Sequence, residues 1–182
     1  MQMIVTKKEL IECLKTEKNL YIGGNWKNLL RLSLLKDHDY LLWKYAKSLR
    51  YTEYHFNNKH RIRYYIWQRK KNIIGSKLGV TMWHNTVDAG LRIWHYGSII
   101  VNGHTNIGKN CQLHGDNCIG NKGESEKGVP TIGDNVDIGV GAKIIGGVYI
   151  ASNIRIGANA VVTRSFYEEG ITIVGVPAKK VQ

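Results

Sequence analysis

Three cysteines in 182 residues, Cys13, Cys111 and Cys118, are too few and too irregularly spaced for a disulfide framework or a zinc knuckle. They read as small buried apolar residues of a protein kept in a reducing compartment. Long apolar runs are missing as well. No stretch approaches the roughly 18 residues that a membrane helix requires, so no membrane span is expected. The opening "MQMIVTKKELIECLK" carries neither the apolar run nor the small-residue cleavage site of a secretory leader, which makes the cytoplasm the expected location. Acidic residues are scarce in one part only. Residues 1–80 hold 17 Lys and Arg against 6 Asp and Glu, whereas residues 81–182 hold 9 against 8. Two kinds of sequence are joined here, and a hydrophobic content of 43% is enough to give them a core.

The first segment, 1–80, is patterned for helices. Thr6 followed by Glu9 has the form of a capping box, after which Leu10, Ile11 and Leu14 share one face. Leu42, Tyr45 and Leu49 form a second apolar series, and Ile62, Ile66 and Ile73 around Arg69 a third. About three helices are expected. The stretch "KHRIRYYIWQRKK" interleaves basic and aromatic residues as single-strand nucleic-acid surfaces do. No recognisable nucleic-acid motif accompanies it, so the simpler reading is an amphipathic helix with a solvated basic side, and no nucleic-acid partner is expected.

The second segment, 81–182, repeats every six residues. Ile132, Ile138, Ile144, Ile150, Ile156 and Val162 keep that period unbroken, and Ile107, Leu113, Ile119 and Val87, Ile93, Ile99 keep it upstream. Glycine follows at Gly108, Gly120, Gly133, Gly139 and Gly157. Neither a helix nor a flat strand has that period. Each hexad reads as a short strand and a turn, the aliphatic residue pointing inward and the next small residue allowing the bend. Cys111, Val136, Ala142 and Val148 supply a second inward residue. Three hexads close one triangular coil, and twelve make about four coils, enough to bury a continuous core by stacking. Two breaks interrupt the period. From Ile99 to Ile107 the spacing is eight, with Val101 offering a shifted register, and from Ile119 to Ile132 it is thirteen. The second break, 121–131, is rich in Gly and charge and is expected as an extruded loop.

These repeats, with "GLRIWHYGSIIVNGHTNIGKNCQLHGDNCIGN" and the ending "IGANAVVTRSF...ITIVGVPAKKV", resemble the hexapeptide-repeat acyltransferases, in particular the serine acetyltransferases and their relatives in capsule and surface-polysaccharide synthesis. The stretch "WKYAKSLRYTEYHFNN" is similar to the basic, aromatic segment that precedes the solenoid in the capsule-type enzymes. The resemblance implies a mainly β fold, a left-handed parallel β-helix preceded by an α-helical segment and followed by a C-terminal tail. It also implies a homotrimer with active sites between subunits, and acetyl-CoA as co-substrate.

On that resemblance His95 falls where the family carries its general base, and an imidazole, with a reference pKa near 6.5, suits removal of a hydroxyl proton at neutral pH. His114 is the second histidine expected in the cleft, ahead of His84 and His104. In simple register the aspartate of the family's catalytic pair falls on Val80, leaving Asp88, Asn85 or Asp116 to orient His95 if the register slips. Coenzyme A is expected along the later coils, at Gly120, Asn121, Val140, Gly141, Ala142 and Ala158, with Thr163, Arg164, Lys179 and Lys180 for its phosphates. Trp94 stands where serine acetyltransferases have an aspartate, and Val129 precedes Pro130 where they have a loop histidine. These departures favour a sugar hydroxyl as acceptor, with Trp94 and Tyr96 as flat apolar faces for a pyranose and Asn85 and Asp116 as polar neighbours. Serine, in cysteine biosynthesis, is the alternative acceptor, and a non-catalytic trimeric scaffold the alternative class. A zinc enzyme of the carbonic anhydrase type would need closely spaced histidines. His84, His95, His104 and His114 lie nine to eleven residues apart, so no metal is expected.

Overall fold

The computed structural model describes residues 3–123 and 128–181. Four helices come first: α1 (Lys7–Ile22), α2 (Trp26–Leu34), α3 (His38–Asn57) and α4 (Arg61–Leu78). The capping box at the start of α1 is formed as its residue types require, Glu9 N–H donating to Thr6 Oγ1 at 3.2 Å and Thr6 N–H to Glu9 Oε2 at 2.8 Å. Helix α2 goes beyond the three expected. It is short, and Asn25 starts it by accepting from the Lys27 N–H at 2.9 Å.

Two apolar series face other directions than their spacing implies. Leu10 is buried but Ile11 is exposed, because α1 turns its Leu10 and Cys13 stripe towards α3. Ile62, Ile66 and Ile73 all lie on the outer side of α4, whose buried residues are Lys71, Gly75 and Leu78. Helix α4 ends at Gly79, whose left-handed φ of 69° lets its N–H reach the Gly75 carbonyl before the chain turns into the first strand.

Fourteen short strands follow among the described residues. In chain order they are β1 (Val80–Thr81), β2 (Arg92–Ile93), β3 (Ile99–Val101), β4 (Asn106–Ile107), β5 (Gln112–Leu113), β6 (Cys118–Gly120) and β7 (Thr131–Ile132). Then come β8 (Asp137–Ile138), β9 (Lys143–Ile145), β10 (Tyr149–Ile150), β11 (Arg155–Ile156), β12 (Val161–Val162), β13 (Thr172–Val174) and β14 (Lys179–Lys180). Three sheets result. The first has the order β1-β3-β6-β9-β12, the second β10-β7-β4, and the third β14-β13-β11-β8-β5-β2. All pairings are parallel except that of β14 with β13. The chain therefore visits the sheets in rotation, and each strand pairs with the one a full turn away.

The six-residue aliphatics stack along the inside of this winding. Ile93, Leu113, Ile138, Ile156 and Ile173 are successive partners in the third sheet, and Ile107, Ile132 and Ile150 in the second. In the first sheet the partner of Ile119 is Val101, while Ile99 pairs with Val80. The shifted register at Val101 is thus the one adopted, and the irregular interval lies between Ile93 and Val101. Phe166 bridges Ile150, and with Ile173 it carries the stacking into the tail beyond Val162. Cys111, Val136, Ala142 and Val148 are buried as second inward residues, and burial pushes the thiols of Cys13 and Cys111 up to about 12. Asn110, Asn135 and Asn153 turn one corner with positive φ, each carboxamide donating to the next at 3.0 Å. Residues 124–127 of the expected loop lie outside the described residues, and Thr131 belongs to β7.

Candidate functional site

The corner between the third and first sheets is built from residues 94–98, 114–117, 139–142 and 157–160, one segment per turn. The segments stack closely. Gly141 N–H donates to the Gly115 carbonyl at 3.0 Å, and Asn159 N–H to the Val140 carbonyl at 2.8 Å. A Cβ on Gly115 would lie 3.3 Å from the His95 carbonyl oxygen, so His95 and His114 occupy adjacent turns of one corner. Eight residues separate Ile93 from Val101, whereas six separate Leu113 from Ile119. The two additional residues enlarge the first segment, and Trp94, His95 and Tyr96 all stand exposed on it.

His95 stacks on the ring of His38, the first residue of α3, at 6.1 Å between centroids. Helix α3 is tied to this place by Asp39, which accepts from Arg92 Nη2 at 2.8 Å. His114 Nε2 lies 2.7 Å from Asp137 Oδ1, a carboxylate able to fix the tautomer and orientation of the imidazole. Trp94 is packed against its neighbours. Its ring stacks on His114 at 5.7 Å, the Arg92 guanidinium lies 4.5 Å from the ring centre, and its Nε1–H donates to Gln112 at 2.9 Å. Trp94 nevertheless stays 38% exposed. Tyr96 has no ring partner among the described residues and lines a groove against α3 and α4.

Of Asp88, Asn85 and Asp116, the one that shares the His95 corner is Asp116. Val80 is buried in the first sheet. Asp88 is buried at the opposite corner, where its carbonyl accepts from Arg50. Asn85 exchanges carboxamide bonds with Asn57 of α3, at 2.8 and 3.1 Å, and serves as a turn clamp. Asp116 shares the His95 corner as a left-handed turn residue, with its carboxylate 3.6 Å from Lys143. His84 packs on Phe56 and Tyr64, away from this corner.

The residues expected to hold coenzyme A divide between places. Val140 and Ala158 are exposed on the His95 corner, where Gly141 turns with φ of 74°. Ala142 leaves this set, because its side chain is fully buried, its N–H binds the Gly139 carbonyl and its own carbonyl accepts from Cys118. Gly120, Asn121, Thr163 and Arg164 fall at the next corner, after β6 and β12. Lys179 and Lys180 lie on β14 at the edge of the third sheet, and Lys180 is ion-paired with Glu168 at 2.6 Å. Among the described residues one group of three side chains could converge on a metal ion, Asp37, His38 and Asp39, with ligand atoms within 4.8 Å of one another. These atoms already face each other and Arg92.

Asp137, His38 and Arg92 are absent from the sequence expectations. Asp137 had a signal, since it precedes Ile138 as Gln112 precedes Leu113, and the two pair across the third sheet. The thirteen-residue interval before Ile132 obscures that column. His38 is brought to the site by tertiary packing of α3, which leaves no periodic trace, and Arg92, on β2 beside Ile93, is joined there by Asp39 of the same helix.

No family model matches the chain. Curated relatives do. It is 34% identical over 137 residues to the serine acetyltransferase of Staphylococcus xylosus, covering 70% of this chain and 63% of that one. To the enzyme of Mycobacterium tuberculosis it is 30% identical over 131 residues, 66% of this chain and 56% of that one. To that of Synechococcus elongatus it is 29% identical over 130 residues, covering 53% of the relative. The chain thus spans little more than half the length of several curated relatives. Among solved structures, serine acetyltransferase from Brucella abortus in complex with coenzyme A superposes with a TM-score of 0.74 at 20% identity, over 96% of this chain and 68% of that one. The Neisseria gonorrhoeae enzyme in complex with serine gives 0.70 at 24%, over 97% and 70%. Repeat pattern, winding and relatives together indicate the hexapeptide-repeat acyltransferase family, with likeness to its serine acetyltransferases.

Proposed function

We propose that this chain transfers an acetyl group from acetyl-CoA directly to a hydroxyl, that its winding is a left-handed β-helix, and that three copies assemble with a site in each cleft between them. The observation that carries the reading is His95, held exposed on an enlarged corner one turn from the His114–Asp137 pair, in a chain whose relatives are named serine acetyltransferases. His95 takes the acceptor's proton as its oxygen attacks the thioester carbonyl. The new C–O bond forms, the C–S bond breaks, and the imidazolium returns the proton to the departing thiolate. Val140, Gly141 and Ala158 leave room along the corner for the pantetheine arm.

Serine is the acceptor that the names of the relatives support. Trp94 removes the family's acidic side chain at that position, but Asp37, beside His38, returns a carboxylate to the neighbourhood of His95. A sugar hydroxyl remains a second reading on one observation, the open ring of Tyr96.

Thiol release from acetyl-CoA with L-serine, set beside free hexoses and N-acetylhexosamines, tests the choice. Release with serine is expected, and release with a sugar alone transfers the assignment to the second reading. Acetyl-CoA is expected to raise the melting temperature, and replacing Lys179 and Lys180 together with Ala to reduce that rise. Absence of both release and thermal shift would leave a scaffold. The assembly has its own check: sedimentation equilibrium is expected to return three times the 20.6 kDa chain mass, and a monomer at working concentration contradicts the shared cleft.

A further inference from the structure

Some of the apolar side chains that the helices leave outside form a stripe. On α2, Trp26, Leu30 and Leu34 recur every four residues and are 68%, 62% and 81% exposed. That spacing puts them on one helix face. One groove adjoins this stripe and a second continues from the first. One, of about 560 Å³, runs between Trp26, Leu30, Trp43 and Trp67, and the other, of about 610 Å³, runs between Ile66, Ile73, Leu78 and Tyr96. Lys44 and Lys70 line both, so the grooves are continuous, and among the described residues no acidic side chain lines either. Lys70 also stands over the Trp67 ring at 4.6 Å.

An exposed apolar surface of this extent marks a binding face. A second copy is a poor occupant, because it would bring the same excess of 17 basic over 6 acidic residues against its like. An anionic bilayer satisfies both components at once. Apolar side chains enter the boundary between headgroups and acyl chains, while lysines above them collect headgroup charge. No helix among the described residues is long and apolar enough to cross the membrane, so the contact lies in the plane of the surface.

We propose that the face formed by α2, α3 and α4 docks on anionic lipid bilayers, with Trp26, Leu30 and Leu34 inserted and Lys44, Lys47 and Lys70 at the headgroups. The second groove ends at Tyr96, next in sequence to His95. Docking therefore sets the candidate site close to the lipid surface.

The test is co-sedimentation of the full chain with vesicles of phosphatidylcholine alone or with about 30% phosphatidylglycerol. At least about tenfold tighter retention on the anionic vesicles is expected, weakening as salt rises from about 0.05 to about 0.5 M. The triple variant Trp26→Ser, Leu30→Ser, Leu34→Ser and the triple variant Lys44→Glu, Lys47→Glu, Lys70→Glu are each expected to lose most of that retention with circular dichroism unchanged. Neither set includes a residue of the proposed acetyl-transfer machinery, so transfer to a soluble acceptor should persist in both and separates this proposal from the preceding one. Equal binding to both vesicle types overturns it, as does full retention by the serine variant. A smaller assembly in the serine variant, read by sedimentation, assigns the stripe to a second copy instead. Tighter binding of a single-stranded oligonucleotide at the same salt assigns the basic face to nucleic acid.

Discussion

Replacing His95 with alanine is expected to lower acetyl transfer by roughly 10²- to 10⁴-fold, the usual contribution of a positioned base. The melting temperature and the acetyl-CoA thermal shift should stay near those of the native chain. Both expectations follow from where the side chain stands. It is exposed on a corner widened by two residues, its contact is a ring stack with His38, and the aliphatic column beneath it runs through Ile93 and Leu113 without it. Losing the imidazole therefore removes chemistry and almost no packing. His114→Ala, measured in parallel, is the necessary comparison, because His114 is the histidine with a carboxylate at 2.7 Å. If His95 is the base, His114→Ala costs less. In that case Asp137→Asn acts on transfer no more strongly than His114→Ala, since its effect passes through that ring. The reverse order, with His95→Ala near native activity and His114→Ala crippled, overturns the assignment and makes His114 and Asp137 the base and its orienter.

What was legible in the sequence follows from which forces leave a periodic trace. The stacking of Ile132, Ile138, Ile144 and their successors was readable because a triangular winding repeats one inward position every six residues. Even the irregular register at Val101 was visible as an alternative, although the enlarged interval turned out to precede Ile99. The capping box was readable because Thr6 and Glu9 satisfy each other locally. The helical faces were less so. Spacing alone identifies a stripe on Ile62, Ile66 and Ile73, but whether it turns inward depends on which side of α4 meets α3 and β1, and here the other side does. The site was half legible. His95 and His114 come from one corner of the repeat, whereas His38, Arg92 and Asp39 meet there through the docking of α3. Trp94 shows the limit most directly. Its type suggests an aromatic platform, whereas the contacts of Arg92 and His114 with its ring come from tertiary packing that the spacing does not record.

The largest loss of stability is expected from Arg50→Ala. Arg50 is 1% exposed, and every donor of its guanidinium is used. Nε and Nη2 reach Glu17 at 3.0 and 2.6 Å, Nη1 reaches Glu53 at 3.1 Å, and the remaining N–H groups reach the carbonyls of Val87 and Asp88 at 2.7 Å each. Glu17 also accepts from the Leu91 N–H at 3.2 Å, and Glu53 from the Ile4 N–H at 3.2 Å. One side chain thus joins α1 and α3 to the first turn of the winding. Removing it strands two carboxylates in the interior, and breaking a buried pair in this way costs about 3–5 kcal/mol. At about 2–4 °C per kcal/mol for a chain of this size, the melting temperature should fall by about 10 °C or more. Arg50→Lys should recover only part of it, since three donors replace five. The pH dependence carries the sign of the argument. Burial already raises the Glu53 carboxyl even beside Arg50, and without the guanidinium the group that holds it down is gone. The folded variant then binds protons more readily than the unfolded chain, so its stability rises as pH falls towards the carboxylate range. The gap in melting temperature between native and Arg50→Ala proteins should therefore narrow from pH 7 to about pH 5. A gap that stays constant would mean that lost packing, and not stranded charge, sets the cost.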